Sequence, residues 1–319
     1  MHIQVLALQG VFDTGLSLML DAFATANQLA SMQGFDAVHF DVAVVGLQRK
    51  ISTGHGLQVS TRALSAQRAP DWLLIPAIDC KLPEVLAPAL QRRDVQDAGD
   101  ALCQLAAGGV RIGAACIGTF VLAECGLLNG QQATTTWWLA PMFRRRYPEV
   151  KLDEAKMLVS SERFLTSGAA LSHIDLALWV IRQESPAIAS LTANYLIVDS
   201  RPSQSAFAVP DQLAHSDPMV TGFERWARGR LAEGFSLDEA AAALATSKRT
   251  LARRLQDTLG KSPLAYFQDL RVERAVHLLR TSNDSIERIA SQVGYADGVT
   301  LRTLLRSKLG RGIREIRAR

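Results

Sequence analysis

The chain has 319 residues, of which 48% are hydrophobic, and its formal net charge is +4. This length and composition exclude a disordered or fibrous protein and allow one large domain or two domains of ordinary size. The sequence has no apolar run long enough to span a membrane, and its first residues have no basic leader with a cleavage site. We therefore expect a cytoplasmic protein that does not interact with membranes.

The first two hundred residues alternate short β-rich runs with stretches of helical periodicity. Such an order predicts an α/β domain with a doubly wound parallel sheet. Strands are predicted at residues 3–8, 40–45, 72–75, 111–115 and 164–167, and helices at 16–32, 98–107, 119–125 and 172–184. Residues 199–218 are rich in Ser, Pro and Asp without periodicity, which indicates a linker between domains 1–198 and 219–319.

The four cysteines lie in the first of these domains. Cys80, Cys103, Cys116 and Cys125 form no CxxC pair and have no zinc-like spacing with histidine. We therefore expect reduced thiols, with neither a disulfide framework nor a structural metal site, and we expect no cofactor.

Charge divides unevenly between the two predicted domains. Residues 219–319 contain 19 Lys and Arg against 11 Asp and Glu, a net charge of +8, whereas residues 1–218 contain 16 against 20, a net charge of −4. A basic module without a lipid-inserting helix favours nucleic acid as its partner, although solvated arginine-rich helix faces are also common.

The basic module contains an internal repeat. Four apolar residues recur 49 residues later, and two more recur 50 residues later, so the second copy has one extra residue in its turn. The paired positions are Leu237 and Ile286, Ala240 and Ile289, Ala241 and Ala290, Leu244 and Val293, Leu251 and Leu301, and Leu255 and Leu305. A short helix, a tight turn and a second helix in each copy indicate two helix-turn-helix units.

Capping residues support these helix boundaries. Ser236 and Glu239 form a capping box before the first copy, and Ser247 can cap its second helix. In the second copy, Gly294 can adopt a positive φ at the turn and Asp297 can cap the helix that follows.

If the repeated leucines face the core, the second helix of each copy presents a predominantly basic or small-residue face to solvent. Such a face suits a DNA major groove, although it would also fit a solvated helical bundle. The predicted DNA-contacting residues are Lys248, Arg249, Ala252, Arg253 and Gln256 in the first copy, and Gly298, Val299, Arg302, Thr303 and Arg306 in the second.

About a hundred residues of this module resemble the AraC/XylS DNA-binding domain, through the motifs S-K-R-T-L-A-R-R-L, G-K-S-P-L-A-Y-F, L-R-V-E-R-A and I-A-S-Q-V-G-Y-A-D. The resemblance implies two helix-turn-helix units joined by a long helix at 263–280, reading adjacent major grooves of double-stranded promoter DNA. Two positions depart from the family pattern: Leu301 replaces its usual aromatic residue, and residues 310–313 read G-R-G-I without its closing proline.

In the first domain, a strand runs into Cys116 and a helix begins at about Gly118, the layout of a nucleophile elbow. Such a turn exposes backbone N–H groups that favour a thiolate or an anionic ligand. The alternative is that Cys116 is a small buried hydrophobic residue at a strand end.

The segments C-I-G-T-F-V-L-A-E-C-G-L-L-N-G-Q-Q-A-T-T-T-W-W and F-L-T-S-G-A-A-L-S-H-I-D-L-A-L resemble the PfpI-like domain of GlxA-type regulators. With the C-terminal module, the resemblance spans the chain. It implies a flavodoxin-like fold related to class I glutamine amidotransferases, whose elbow cysteine is catalytic in enzymes and whose pocket the regulators reuse for a ligand.

Catalysis at the elbow would need a base close to the thiol. Ile117 replaces the histidine of many PfpI-like enzymes, and T-T-W-W replaces the T-x-H-W of related regulators. Asp13 has no clear match to the acidic residue of enzymatic relatives, and His173 is more readily explained as a structural residue. We therefore expect a ligand pocket; the alternative is a cysteine-dependent amidase or hydrolase attached to a DNA-binding domain.

The pocket should lie beyond the carboxyl ends of the strands. Its predicted lining residues are Asp13, Ala77, Ile78, Cys116, Ile117, Trp137 and Trp138. The two tryptophans can form an aromatic wall for a quaternary amine, or at least one of them can belong to the core. The resemblance implies a regulator of amino-acid or amine catabolism with an amino-acid or amine effector. We expect an activator that forms a homodimer and acts on RNA polymerase.

Overall fold

The computed structural model describes residues 1–64, 69–199, 201, 203–204, 217–310 and 312–317. Contacts divide the chain into two units, Met1–Gln204 and Ser205–Arg319. Most of the predicted linker lies outside the described residues. Its described residues Arg201, Ser203 and Gln204 belong to the first unit, past the predicted boundary at residue 198.

A mainly parallel sheet forms the centre of the first unit. Its described strands are β1 (His2–Leu6), β2 (Asp41–Gly46), β3 (Lys50–Ser52), β4 (Gln58–Ser60), β5 (Arg62–Ala63), β6 (Trp72–Ile75), β7 (Arg111–Ala115), β8 (Gln132–Ala133), β9 (Lys151–Leu152), β10 (Leu158–Ser161) and β11 (Phe164–Ser167). Seven of them form one sheet in the order β10-β11-β7-β6-β1-β2-β5. Its neighbouring strands are parallel except β10 and β11, which form an antiparallel edge.

Helices cover both faces of this sheet. They are α1 (Asp13–Met32), α2 (Pro83–Leu90), α3 (Arg93–Ala107), α4 (Gly118–Glu124), α5 (Ala140–Arg146), α6 (Ser172–Glu184) and α7 (Pro186–Tyr195). One apolar core contains residues from α2, α3, α4 and α5, and a second contains residues from α1, α6 and α7. The doubly wound α/β prediction is therefore confirmed. Within the described residues, no helix is long and apolar enough to cross a membrane.

The predicted strands 72–75, 111–115 and 164–167 and the predicted helix 172–184 have the bounds that the structure shows. Strand β1 ends at Leu6 rather than at residue 8, and α1 begins three residues earlier than predicted, at Asp13. The sequence patterns did not predict the short strands β3, β4, β5 and β8–β10, or helices α2, α5 and α7. Strands of two to four residues show little periodicity, and prolines within α2 and at the start of α7 resemble turn signals.

The second unit is helical throughout its described residues. Its helices are α8 (Pro218–Arg228), α9 (Leu237–Ala243), α10 (Lys248–Leu259), α11 (Pro263–Thr281), α12 (Ile286–Gln292), α13 (Gly298–Leu309) and α14 (Ile313–Arg317). Six of these helices begin with a capping side chain, whose oxygen accepts a hydrogen bond from a backbone N–H two or three positions further on. The capping residues are Asp217, Ser236, Ser247, Ser262, Ser285 and Asp297. Helix α11 is the long connecting helix that the resemblance implies.

Candidate functional site

The first helix-turn-helix unit consists of α9, a short turn and α10. Leu251 and Leu255 of α10 are fully buried, so this helix is oriented as its repeat predicts. The Ser247 hydroxyl accepts a hydrogen bond from the Thr250 N–H at 3.1 Å and fixes the start of α10. This helix therefore presents a defined outward face.

Four of the five predicted residues on that face are exposed, and Ala252 is half-buried. Lys248 forms an ion pair with Asp238 of α9, at 2.8 Å between Nζ and Oδ1. Among the described residues, no carboxylate lies within ion-pair distance of Arg249 or Arg253. Both guanidinium groups are therefore available for bidentate contacts to phosphate or guanine.

The second helix-turn-helix unit consists of α12, a turn at Gly294 with φ +77°, and α13. Asp297 caps α13 by accepting a hydrogen bond from the Thr300 N–H at 2.7 Å. The exposed residues of α13 include Val299, Arg302, Thr303 and Arg306, as predicted, and Val299 is 67% exposed. Arg302 forms an ion pair with Glu287 of α12 at 3.3 Å.

The prediction that Gly298 faces outward is wrong. Gly298 is buried at the start of α13, where it packs against α12. An added Cβ would lie 2.9 Å from Glu287 Oε1 and 3.0 Å from Ile286 Cγ2. The residue therefore allows the two helices of this helix-turn-helix unit to approach closely.

In the first unit of the chain, the structure places Cys116 on the predicted sharp turn between β7 and α4. Its φ is +56°, a strained value for a residue with a side chain. The Cys116 N–H donates to the Ser167 carbonyl at 2.9 Å, and the Thr135 hydroxyl donates to the Cys116 carbonyl at 2.8 Å. At Gly118, a Cβ would collide with the backbone at Ile75 and Pro76, so only glycine fits there.

The environment of the Cys116 thiol opposes its ionisation. The residue is 3% exposed, and burial raises the pKa of the thiol to about 12. A thiol with this pKa is protonated at neutral pH and is a poor nucleophile unless a base accepts its proton.

His173 does not have a free nitrogen to serve as that base. Its Nδ1 donates to the Ala170 carbonyl at 2.6 Å, and its Nε2 accepts from the Ala77 N–H at 3.1 Å. Burial lowers the pKa of the ring to about 4, so the imidazole is neutral. Gly15 leaves space for the ring, since a Cβ there would lie 2.5 Å from Nε2. These contacts agree with a structural role.

Sequence reasoning missed a carboxylate–imidazole pair at the start of α1. Asp13 accepts hydrogen bonds from the Thr53 hydroxyl, from the His55 N–H at 3.1 Å and from His55 Nδ1 at 2.9 Å. Although its partial burial opposes ionisation, these hydrogen bonds lower the pKa of Asp13 to about 2. No pattern links the two residues, because His55 lies in a loop 42 residues after Asp13.

Five of the predicted pocket residues lie in or against the same side of the core. Ala77, Ile78, Cys116 and Ile117 belong to one apolar cluster, and Trp138 packs against it. Asp13 follows Phe12, whose N–H donates to the Ala77 carbonyl at 2.8 Å.

The two tryptophans do not form a flat wall. Their rings meet edge to face at 5.4 Å between centroids, and Trp137 is only 8% exposed. At least one of them is therefore a packing residue, which was the second of the two interpretations.

Two fully buried hydroxyl groups flank the elbow. The Thr136 hydroxyl interacts with the Cys116 thiol, whereas that of Thr119 has no hydrogen-bond partner among the described residues. The Thr119 N–H donates to the Cys116 carbonyl at 3.3 Å, and Thr136 follows Thr135, which bonds the same carbonyl. Buried polar groups without hydrogen-bond partners are uncommon in proteins, so an unpaired hydroxyl beside the elbow indicates a place where a ligand or a water molecule could bind.

Comparisons with known proteins find matches to one unit alone and matches longer than either unit. A family model described as "Helix-turn-helix domain" matches residues 240–319. HTH-type transcriptional regulator GbdR of Pseudomonas aeruginosa is 28% identical over 251 residues, covering 77% of this chain. The match spans 66% of that relative's length, just under two thirds. HTH-type transcriptional regulator ArgR of the same species is 28% identical over 239 residues, covering 74% of this chain and 70% of its own.

A shorter match is confined to about a third of the chain. HTH-type transcriptional activator RhaS of Escherichia fergusonii is 38% identical over 103 residues, covering 32% of this chain and 37% of its own.

Among solved structures, an AraC family transcriptional regulator from Pseudomonas putida is similar, with a TM-score of 0.51 and 18% identity. It covers 61% of this chain and 98% of its own. Drosophila melanogaster DJ-1beta has a TM-score of 0.50 and 18% identity, covering 62% and 98%. These likenesses establish the fold of the first unit. Residues 240–319 therefore contain a helix-turn-helix domain, and the first unit shares the fold of DJ-1beta.

Proposed function

We propose that this protein is a metabolite-responsive transcriptional regulator that binds double-stranded promoter DNA through both helix-turn-helix units. One observation carries the proposal: each unit presents a capped helix whose outward face carries exposed arginines. Arg249 and Arg253 supply this charge in α10, and Arg302 and Arg306 supply it in α13. The predicted base- and phosphate-contacting residues, without Gly298, remain the proposed interface.

The proposed effector site is the elbow around Cys116. Its support is the buried Thr119 hydroxyl, which has no hydrogen-bond partner among the described residues, beside the strained turn at Cys116. The protonated thiol and the fully engaged His173 favour binding over turnover. We propose that the elbow holds a ligand and does not hydrolyse it.

The effector class and the assembly rest on the resemblance to GlxA-type regulators. We propose an amino acid or a quaternary amine as effector and activation of amino-acid or amine catabolic genes as the outcome. A cytoplasmic homodimer that recruits RNA polymerase completes the proposal. Ligand binding would act by favouring one arrangement of the DNA-binding units, because only differential affinity shifts a population.

The test is selection of genomic DNA fragments by the full-length protein, followed by anisotropy titration of the best fragment at two salt concentrations. Arg249→Ala removes a cation from the recognition face, whereas Arg225→Ala removes an exposed cation from α8 and serves as the charge-matched control. We expect Arg249→Ala to weaken specific binding by about 1–3 kcal/mol and Arg225→Ala to weaken it much less. The proposal would be refuted if the affinity were the same for all DNA sequences and were unchanged in Arg249→Ala.

A further inference from the structure

Within its described residues, the DNA-binding unit contains two apolar cores, and helix α11 contributes residues to both. Tyr266, Phe267 and Leu270 of α11 belong to the core of the first helix-turn-helix unit, whereas Val272 and the apolar residues after it belong to the core of the second. The division falls between Leu270 and Val272. Since the two cores are separate, the mutual orientation of the two units depends on what crosses this point.

Asp269 lies at this point of α11, and its carboxylate pairs with two lysines. Its Oδ2 accepts from Nζ of Lys261, which follows α10, at 2.8 Å. Its Oδ1 accepts from Nζ of Lys308, near the end of α13, at 2.5 Å. The Asp269 side chain is 18% exposed and each lysine about 40%. One carboxylate on the connecting helix therefore binds a cation from each helix-turn-helix unit.

Arg271 crosses the same point on the other side of Leu270. Its Nε donates at 2.9 Å to the carbonyl of Leu231, which belongs to the core of the first helix-turn-helix unit. Its guanidinium lies 4.8 Å from the centre of the Phe267 ring and 5.2 Å from that of Tyr295, which is in the second unit. One side chain therefore contacts both units through a hydrogen bond and two cation–π contacts.

The turn of the second unit fits tightly against this arginine. At Gly294, a Cβ would collide with the Arg271 guanidinium and with the Leu231 carbonyl oxygen. The turn that orients α13 therefore packs directly against Arg271 of the connecting helix and against the backbone of Leu231.

We propose that Asp269 and Arg271 are positioning residues that hold the two helix-turn-helix units in one orientation, and so set the spacing of the two DNA segments that they read. We call the contacts of Asp269 and Arg271 with both helix-turn-helix units the brace. The effect on DNA spacing rests on the proposed DNA-binding function, whereas the brace itself does not. Neither residue needs to touch DNA, and the ion pairs of Asp269 join lysines on elements that carry the two recognition helices.

A purely electrostatic role and a positioning role for Asp269 predict opposite changes in DNA affinity. Asp269→Asn removes a negative charge and releases two lysines, which would tighten binding to any DNA. A positioning role predicts weaker binding to the selected operator, with Kd higher by about 3- to 10-fold, because two half-buried ion pairs no longer fix the units. It also predicts reduced discrimination against operators with a few base pairs inserted between the contacted segments.

The control is Glu233→Gln, which makes the same change in charge. Glu233 pairs with Arg230 at 3.5 Å, and both residues lie in the segment between α8 and α9. This variant should leave the spacing preference unchanged. Asp269→Glu should restore most of it, since a carboxylate is again available to both lysines.

A measurement without DNA separates the brace from the proposed function. Spin labels at Gln256→Cys in α10 and Ser307→Cys in α13, both exposed positions, report the distance between the recognition helices in the full-length protein. Cys103→Ser and Cys125→Ser remove the partly exposed native thiols. We expect a narrow distance distribution in the parent and in Glu233→Gln, and a broadened one in Asp269→Asn.

Equal distributions in the parent and in Asp269→Asn would overturn the inference, whatever the protein does with DNA. If the distribution broadens but the parent binds no DNA sequence selectively, the brace stands and the proposed function fails. If the parent binds selectively and Asp269→Asn keeps both its affinity and its spacing preference, the positioning role is refuted.

Discussion

The side chain of Gln204 offers the sharpest test of the packing in the first unit. This residue lies in a segment of linker-like composition, yet it is fully buried. Its Oε1 accepts from the Ala169 N–H at 3.0 Å, and its Nε2 donates to the Thr135 carbonyl at 2.8 Å. Thr135 in turn bonds the Cys116 carbonyl, so Gln204 supports the elbow through one intermediate residue.

Truncation to Gln204→Ala leaves two polar backbone groups without these partners. Each unpaired buried group costs about 1–3 kcal/mol, so we expect the free energy of unfolding of the first unit to fall by about 2–6 kcal/mol. Gly168→Ala disturbs the same contact by steric clash, because its Cβ would lie 2.6 Å from the Gln204 amide. Overpacking of this kind costs about 1–3 kcal/mol.

The two substitutions should not be additive. In the Gln204→Ala background the space beside residue 168 is empty, so Gly168→Ala should cost less than about 1 kcal/mol there. The effect of Gly168→Ala on the unfolded chain is the same in both backgrounds and cancels from the comparison.

The assay is urea unfolding of the full-length protein in a Trp226→Phe background, where every remaining tryptophan belongs to the first unit. Gln183→Ala, at an exposed position of α6, is the control and should change stability by less than about 0.5 kcal/mol. Additive effects of Gly168→Ala and Gln204→Ala would show that the amide does not occupy this space and would refute the reasoning.

Three further predictions follow from the sites. Native Cys116 should resist iodoacetamide near neutral pH and react only after denaturation, because its thiol is buried with a pKa of about 12; fast native alkylation in mass spectrometry would contradict this. The pKa of His173 is lowered from 6.5 to about 4 on folding, so the unfolded chain binds the proton more tightly. Its contribution to stability is therefore complete above pH 6.5 and lost as the pH falls through about 4; urea titrations should show a weaker pH dependence in His173→Gln. Gly298→Ala should displace Glu287 and lower the stability of the second unit by about 1–3 kcal/mol in thermal unfolding, and an unchanged transition would show that the helices have room.

The repeat and the elbow could be predicted because their signals are local or periodic. Leu251, Leu255, Leu301 and Leu305 recur at helical spacing, and the structure buries all four. Cys116 could be placed on a sharp turn because a β-rich run ends there and a glycine follows at the start of a helix.

Features that depend on contacts distant in sequence could not be predicted. His173 is engaged by Ala77, 96 residues away, and nothing in either local pattern indicates that contact. Gln204 lies in a Ser- and Pro-rich stretch, so composition indicated a linker although its side chain is buried. Gly298 follows a good capping residue, and only the close approach of α12 and α13 shows that it faces inward.

Hydroxyl-radical footprinting of the full-length protein on a selected genomic fragment tests most directly whether both helix-turn-helix units read DNA. We expect two protected segments on one face of the duplex, separated by about one helical turn, or about 10 base pairs. Arg249→Ala should weaken one segment and Arg306→Ala the other. Protection of a single segment, or protection that does not depend on sequence, would contradict the assignment of both units as DNA readers.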